Sequence, residues 1–134
     1  MLAADKRASC GGHINVVTKI FRVGDILVGG SGDLSFVLAM IEWVREGRAR
    51  DKYPEHQRDK DDWQPLLVIE TDSTTSVYDR TPFPIRYEGL HTALGSGREY
   101  AYAAMYLGKT AHEAVQVACA LDSGCGNGID VLTL

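Results

Sequence analysis

The stretch Gly29-Gly30-Ser31-Gly32-Asp33 constrains this chain more than any other, because neither a strand nor a helix runs through three glycines in four residues without loss. Before it stand Ile14–Val23 (INVVTKIFRV) and Asp25–Val28 (DILV), rich in β-branched residues and separated by Gly24. That pattern predicts a β-hairpin. After it, Asp33 is a good N-cap, and Leu34, Val37, Leu38, Ile41 and Val44 follow at helical spacing until Gly47 supplies a stop. Phe36, Ala39, Met40 and Trp43 add apolar surface on the other side. A helix apolar nearly all round is covered on two faces, by a sheet and a neighbouring subunit, or lies wholly inside. The sequence leaves both open.

The remaining punctuation sets the order of elements. Met1–Ala4 reads as a strand cut short at its start, stopped by Asp5-Lys6-Arg7. Arg45–Asp62, with 12 charged residues in 18 and both signs mixed, reads as a solvated loop or frayed helix end. Trp63–Glu70 (WQPLLVIE) and Thr74–Tyr78 flank Asp72-Ser73 and predict a second hairpin. Pro82 and Pro84 mark an irregular edge, and His91–Leu94 reads as a short strand. Gly95-Ser96-Gly97 then opens a helix over Arg98–Leu107, stopped by Gly108. Thr110 and Glu113 form a capping box before a helix whose Ala111, Ala114, Val115, Ala118 and Leu121 share one face. Ser123–Gly128 ends it, and Ile129–Leu134 forms a last strand. Strands joined by hairpins with grouped helices predict an α+β layered sandwich rather than a doubly wound parallel sheet.

Composition narrows the function classes. A length of 134 residues, 45% hydrophobic and 24% charged, suits one globular domain over 1–134 with a core of its own. Cys10, Cys119 and Cys125 are odd in number, widely spaced and without a CxxC pair, as free thiols in a reducing compartment would be. A net charge of -4 argues against a nucleic-acid partner. Neither a signal-peptide core nor an apolar run of spanning length is present, so a cytoplasmic protein without membrane contact is expected.

The two glycine-rich junctions, Gly29–Asp33 and Gly95–Gly97, are where chemistry could sit. On spacing alone plain turns account for both; the functional alternative is an oxyanion site at Gly29, whose N–H would face charge developing in acyl transfer. No Lys-Ser or Lys-Thr follows either junction and GxGxxG is absent, so a phosphate loop is not supported. Polar residues also stand at predicted strand ends: Asp5 and Arg7, Lys19, Ser96, and Asp122 with Cys125. A lysine within Val16–Val23 ordinarily just points outward. His13, His56, His91 and His112 lack metal-ligand spacing, and neither a metal nor a cofactor is implied.

Five motifs in order change the weight of these residues. Leu2-Ala3-Ala4-Asp5-Lys6-Arg7-Ala8-Ser9 resembles the (V/L)AAD-x-R-A-S motif near the start of proteasome β-type subunits. Lys19 in VTKIFRV, Gly29–Asp33 before a helix, Gly95-Ser96-Gly97 with Tyr100-Ala101, and Asp122-Ser-Gly-Cys125-Gly126 before the last strand follow in the family's order. The resemblance to proteasome-like N-terminal nucleophile (Ntn) hydrolases spans nearly the whole chain. It implies a four-layer αββα sandwich and a threonine-type peptidase subunit acting on polypeptides in a homo-oligomeric ring, with an ATPase unfoldase as a possible partner.

In that family the hydroxyl of an N-terminal threonine attacks the peptide carbonyl, and its own α-amino group, titrating near pH 8 as a rough value, is the base. The resemblance makes Asp5 and Lys19 the charged pair beside the nucleophile and Gly29 the oxyanion donor. Ser96, Asp122 and Cys125 become the hydrogen-bonding group around the terminal amine, and Arg7 a supporting residue. Three departures stand out. The sequence opens at Met1-Leu2, almost on the motif, so the first strand and nucleophile are expected to be missing from it, with a start further upstream as the favoured explanation. A thioether at Met1 cannot attack. Cys125 stands where Ser is usual, and Asn127 where a second Gly is usual. The competing classes are a non-catalytic structural subunit of such a ring, a small-substrate amidase of the same superfamily, and a small-anion-binding module.

Overall fold

The computed structural model describes residues 1–55 and 64–134 of the chain. Trp63 and the 56–62 part of the charged stretch, His56 included, lie outside the described residues. Nine strands and three α-helices are present among those described, with one short 3-10 turn at Arg50–Lys52. They group into two compact units, one built from Met1–Ile20 with Gly89–Thr133, the other from Phe21–Glu88. All pairings are antiparallel in the ladders described below, in keeping with the α+β expectation.

In the first unit, β1 (Leu2–Asp5) pairs with β9 (Ile129–Leu132), in register Leu2↔Leu132 to Asp5↔Ile129. Next comes a hairpin of β2 (Arg7–Cys10) and β3 (His13–Val16), turned by Gly11 and Gly12 at φ 56° and 81°. Two successive residues at positive φ suit a tight two-residue hairpin turn. This hairpin corrects the expectation of one continuous strand over Ile14–Val23. The ladder instead carries on to Val17, whose N–H donates to Lys6 O at 3.0 Å or less (2.8 Å), and a new strand begins at Ile20. Thr18 and Lys19 therefore form a break, held to β1 from the side.

Two helices complete this unit, α2 (Arg98–Tyr106) and α3 (Ala111–Leu121). Small side chains let them approach closely: Ala101, Ala104, Met105, Ala114 and Ala118 form one buried cluster. The expected capping box is present, with Glu113 N donating to Thr110 Oγ1 at 3.2 Å and Thr110 N to Glu113 Oε2 at 2.8 Å. Leu121, assigned by spacing to the packed face, is 61% exposed. The predicted strand at His91–Leu94 is absent, because that segment has no ladder partner.

The second unit is a five-stranded sheet in the order β4 (Ile20–Val23), β5 (Ile26–Gly30), β6 (Leu66–Ile69), β7 (Thr75–Tyr78), β8 (Ile85–Tyr87). Both expected hairpins are here; β8, which follows Pro84, was read only as an irregular edge. Helix α1 (Leu34–Arg45) starts at Asp33, whose Oδ1 accepts from Ser35 N at 2.8 Å. It packs on the sheet through Val37, Met40, Ile41, Trp43 and Val44, while Leu38 is 46% exposed. The apolar stripe is thus rotated toward Met40 and Trp43 relative to the spacing-based expectation. Trp43 meets Tyr53 and Tyr78 edge-on at 4.9 and 5.1 Å between ring centres, and its Nε1 donates to Ala49 O at 2.8 Å. That geometry suits the aromatic quadrupoles and satisfies the buried indole donor. Gly30 is required by packing: a Cβ there would lie 2.7 Å from Val37 Cγ1.

Candidate functional site

Most of the chemistry-bearing residues singled out in the sequence meet in the first unit. Asp5 ends β1, and its carboxylate is largely buried, with 11% of the side chain exposed. Lys19, in the break between β3 and β4, reaches it: Nζ lies 2.7 Å from Asp5 Oδ1. The other oxygen, Oδ2, accepts from Arg7 N at 3.0 Å and from Gly126 N at 2.9 Å. A buried carboxylate is tolerable only with partners of this kind. The break at Thr18 and Lys19 therefore has a structural role, since a lysine in a continuous strand would alternate with the pleat rather than turn to Asp5.

The loop after α3 forms the second half of the cluster. Asp122 Oδ1 accepts from Gly124 N at 3.2 Å, and Asp122 Oδ2 accepts from the Cys125 thiol at 3.3 Å. Ser96 Oγ stands 3.9 Å from Cys125 Sγ. The Ser96 hydroxyl first, then the Gly124 amide and the Cys125 thiol, hold the Asp122 carboxyl below the ordinary carboxylate range. Burial first, then its bond to Asp122 and the charge of Asp5, push the Cys125 thiol up to about 11. Cys125 is thus a protonated donor at neutral pH and not a thiolate nucleophile. The glycines around it leave no room for side chains: a Cβ on Gly97 would lie 2.7 Å from Cys125 Sγ, and one on Gly124 would lie 2.6 Å from Ser96 Oγ.

Arg7 links the two halves. Its Nε donates to Asn127 Oδ1 and its Nη1 to Ser123 O, both at 2.7 Å. Lys6 runs alongside, with Nζ 2.8 Å from Asp130 Oδ2 and its backbone N–H shared between Gly126 O and Gly128 O at 3.0 Å each. The structure thus brings together Asp5, Arg7, Lys19, Ser96, Asp122 and Cys125. Gly29 belongs to the other unit, where it is buried on β5 opposite Leu67.

Sequence reasoning assigned no site role to four participants. Lys6, Asp130 and Asn127, the last noted only as a departure from the family's glycine, were given none because their partners are more than 110 positions away along the chain. Cys119 is the fourth: burial and the charge of Asp5 push its thiol up, opposed by Lys19 and Arg7, so this α3 side chain feels the charged pair. Its position beside the Ala114–Ala118 packing face was the available signal. Among the described residues no group of three His, Cys, Asp or Glu could hold a metal ion, and no helix is long and apolar enough to cross a membrane.

With this geometry in view, the fold belongs to a known class: it is the Ntn-hydrolase fold, as a mixed structure of three helices and antiparallel sheets shared with solved members. The chain is similar to Thiobacillus denitrificans BPH in complex with epoxomicin, at 20% identity and a TM-score of 0.70, covering 96% of this chain and 88% of that one. It is equally similar to eukaryotic HslV from Trypanosoma brucei, at 20% identity and a TM-score of 0.72, with the same coverage of 96% and 88%. No protein-family model and no curated protein matches the chain.

Proposed function

We propose that the chain is a proteasome-like, threonine-type peptidase subunit, a single domain over 1–134 that cleaves polypeptides within a cytoplasmic homo-oligomeric ring fed by an ATPase unfoldase. One observation carries this reading: the Lys19 ammonium at 2.7 Å from a carboxylate whose second oxygen is already held by two amides. Such a lysine is held in one position by the pair, and a positive charge held in place lowers the cost of forming an alkoxide beside it. The nucleophile required is an N-terminal hydroxyl. Its proton passes to its own α-amino group as the oxygen attacks the peptide carbonyl, then to the departing amine; water afterwards hydrolyses the ester. Ser96, Asp122 and Cys125 would orient that amine, and the Gly29 N–H would stabilise the oxyanion. The likeness to BPH bound to epoxomicin and to HslV supports the class through the shared fold.

The second reading is a structural subunit that assembles without turnover. It is favoured by Cys125, because a thiol is a weaker hydrogen-bonding group than the serine hydroxyl usual in the family. Peptide hydrolysis by the protein translated from the gene's full reading frame separates the two. Turnover of fluorogenic peptides supports the peptidase. Assembly by light scattering with no turnover and no N-terminal Thr, Ser or Cys in the mature protein refutes it.

A further inference from the structure

We infer that Asn127 is a positioning residue for the Asp5–Lys19 pair, acting through Arg7; this rests on the peptidase reading. The Arg7 guanidinium grips the loop at two points four residues apart, Ser123 O and Asn127 Oδ1, each at 2.7 Å. Between them lies Gly126, whose N–H points at Asp5 Oδ2 at 2.9 Å. Asp5 Oδ2 also holds the backbone N–H of Arg7 at 3.0 Å, so the contacts form a closed circuit from Asp5 to Arg7, to the loop, and back. The circuit leaves Asp5 Oδ1 as the oxygen that faces Lys19.

Two features make Asn127 the specific element. Its φ of 64° lies in the left-handed region, which asparagine tolerates better than other non-glycine residues. The proteasome-like pattern has glycine here, which fits that backbone equally well but offers no acceptor to Arg7. The side chain therefore adds a grip that the glycine pattern lacks, and it does so where the guanidinium lies close against Gly126: a Cβ at Gly126 would lie 2.7 Å from Arg7 Nη2. Steric closeness and a charge-assisted bond act on the same guanidinium.

The test uses Asn127→Gly, which keeps the backbone conformation and removes the acceptor, and Asn127→Asp, which keeps the acceptor. Hydrogen exchange of the Gly126 amide and the Arg7 Nε–H signal are read by 15N NMR on the whole protein. In Asn127→Gly the Gly126 amide should exchange about tenfold faster, as loss of one charge-assisted bond implies. Amides of α2 and α3 should be unchanged, and Asn127→Asp should restore protection. Unaltered Gly126 exchange in Asn127→Gly overturns the inference, as does a uniform loss across α2 and α3, which would mark a merely structural role. In protein with turnover, kcat should fall in Asn127→Gly with KM kept, and Asn127→Asp should recover it. The exchange measurement needs no catalysis, so absence of turnover in the parent counts against the peptidase reading alone.

Discussion

Replacing Asp5 by Asn keeps the side chain's size but removes the charge that faces Lys19 and one of the acceptors its three donors need. Because only 11% of this side chain is exposed, water cannot fill the deficit, and the change should cost about 2–3 kcal/mol in urea denaturation. Cys125 gives a pH prediction. Its folded-state value, about 11, is above the ordinary thiol value of 9.0, so the folded form keeps the proton longer than the unfolded chain. Its contribution is complete below pH 9 and is lost as pH rises toward 11. Cys125→Ser should lose less melting temperature than the parent across that window; an equal loss would contradict the assignment. At this scale the resemblance motifs named the residues that meet, because these side chains sit inside short recognisable strings. Asn127 stood out only as a departure from the family's glycine, and the roles of Asn127, Lys6 and Asp130 were not legible, since what makes them matter is a contact with Lys6 or Arg7 across the length of the chain.

Elements with local causes were the readable ones. Asp33 and Thr110 cap their helices through bonds to residues two or three positions on, so sequence alone carries the signal. Thr110→Ala should cost about 1 kcal/mol, seen as a lower denaturation midpoint with unchanged slope. The Thr110 amide holds the Glu113 carboxyl below its ordinary value, so that bond stabilises above the ordinary glutamate range and fades as pH falls. The difference in melting temperature between parent and Glu113→Gln should therefore shrink on acidification. Other elements answered to distant partners. Ile14–Val23 contains no local breaker, yet it is divided: the ladder with β2 ends at Val17, Lys19 turns to Asp5, and Ile20 joins another sheet. Gly11-Gly12 was a legible turn signal left unused. The stripe on α1 shifted because Trp43 packs between Tyr53 and Tyr78, which no helical spacing encodes. Trp43→Ala should be the most damaging change in that unit, about 3–5 kcal/mol by denaturation.

For the whole molecule, five motifs in order spoke for the Ntn-hydrolase fold, and the shared fold at 20% identity shows how little else of the sequence is needed for it. The contacts of Asp5, Lys6 and Arg7 with the loop after α3 and with β9 join the start of the chain to its last fifteen residues, so they depend on β1 lying beside β9. Substitutions that unpair these strands should disable the site as a unit. The central claim is that a cation fixed at Asp5 serves an N-terminal nucleophile. The most direct measurement is kcat/KM for fluorogenic peptides with protein from the gene's full reading frame, comparing the parent with Lys19→Ala. The account predicts turnover in the parent and a loss of a hundredfold or more, as a rough figure, in the variant while the fold is kept. Turnover that is indifferent to Lys19 would contradict it.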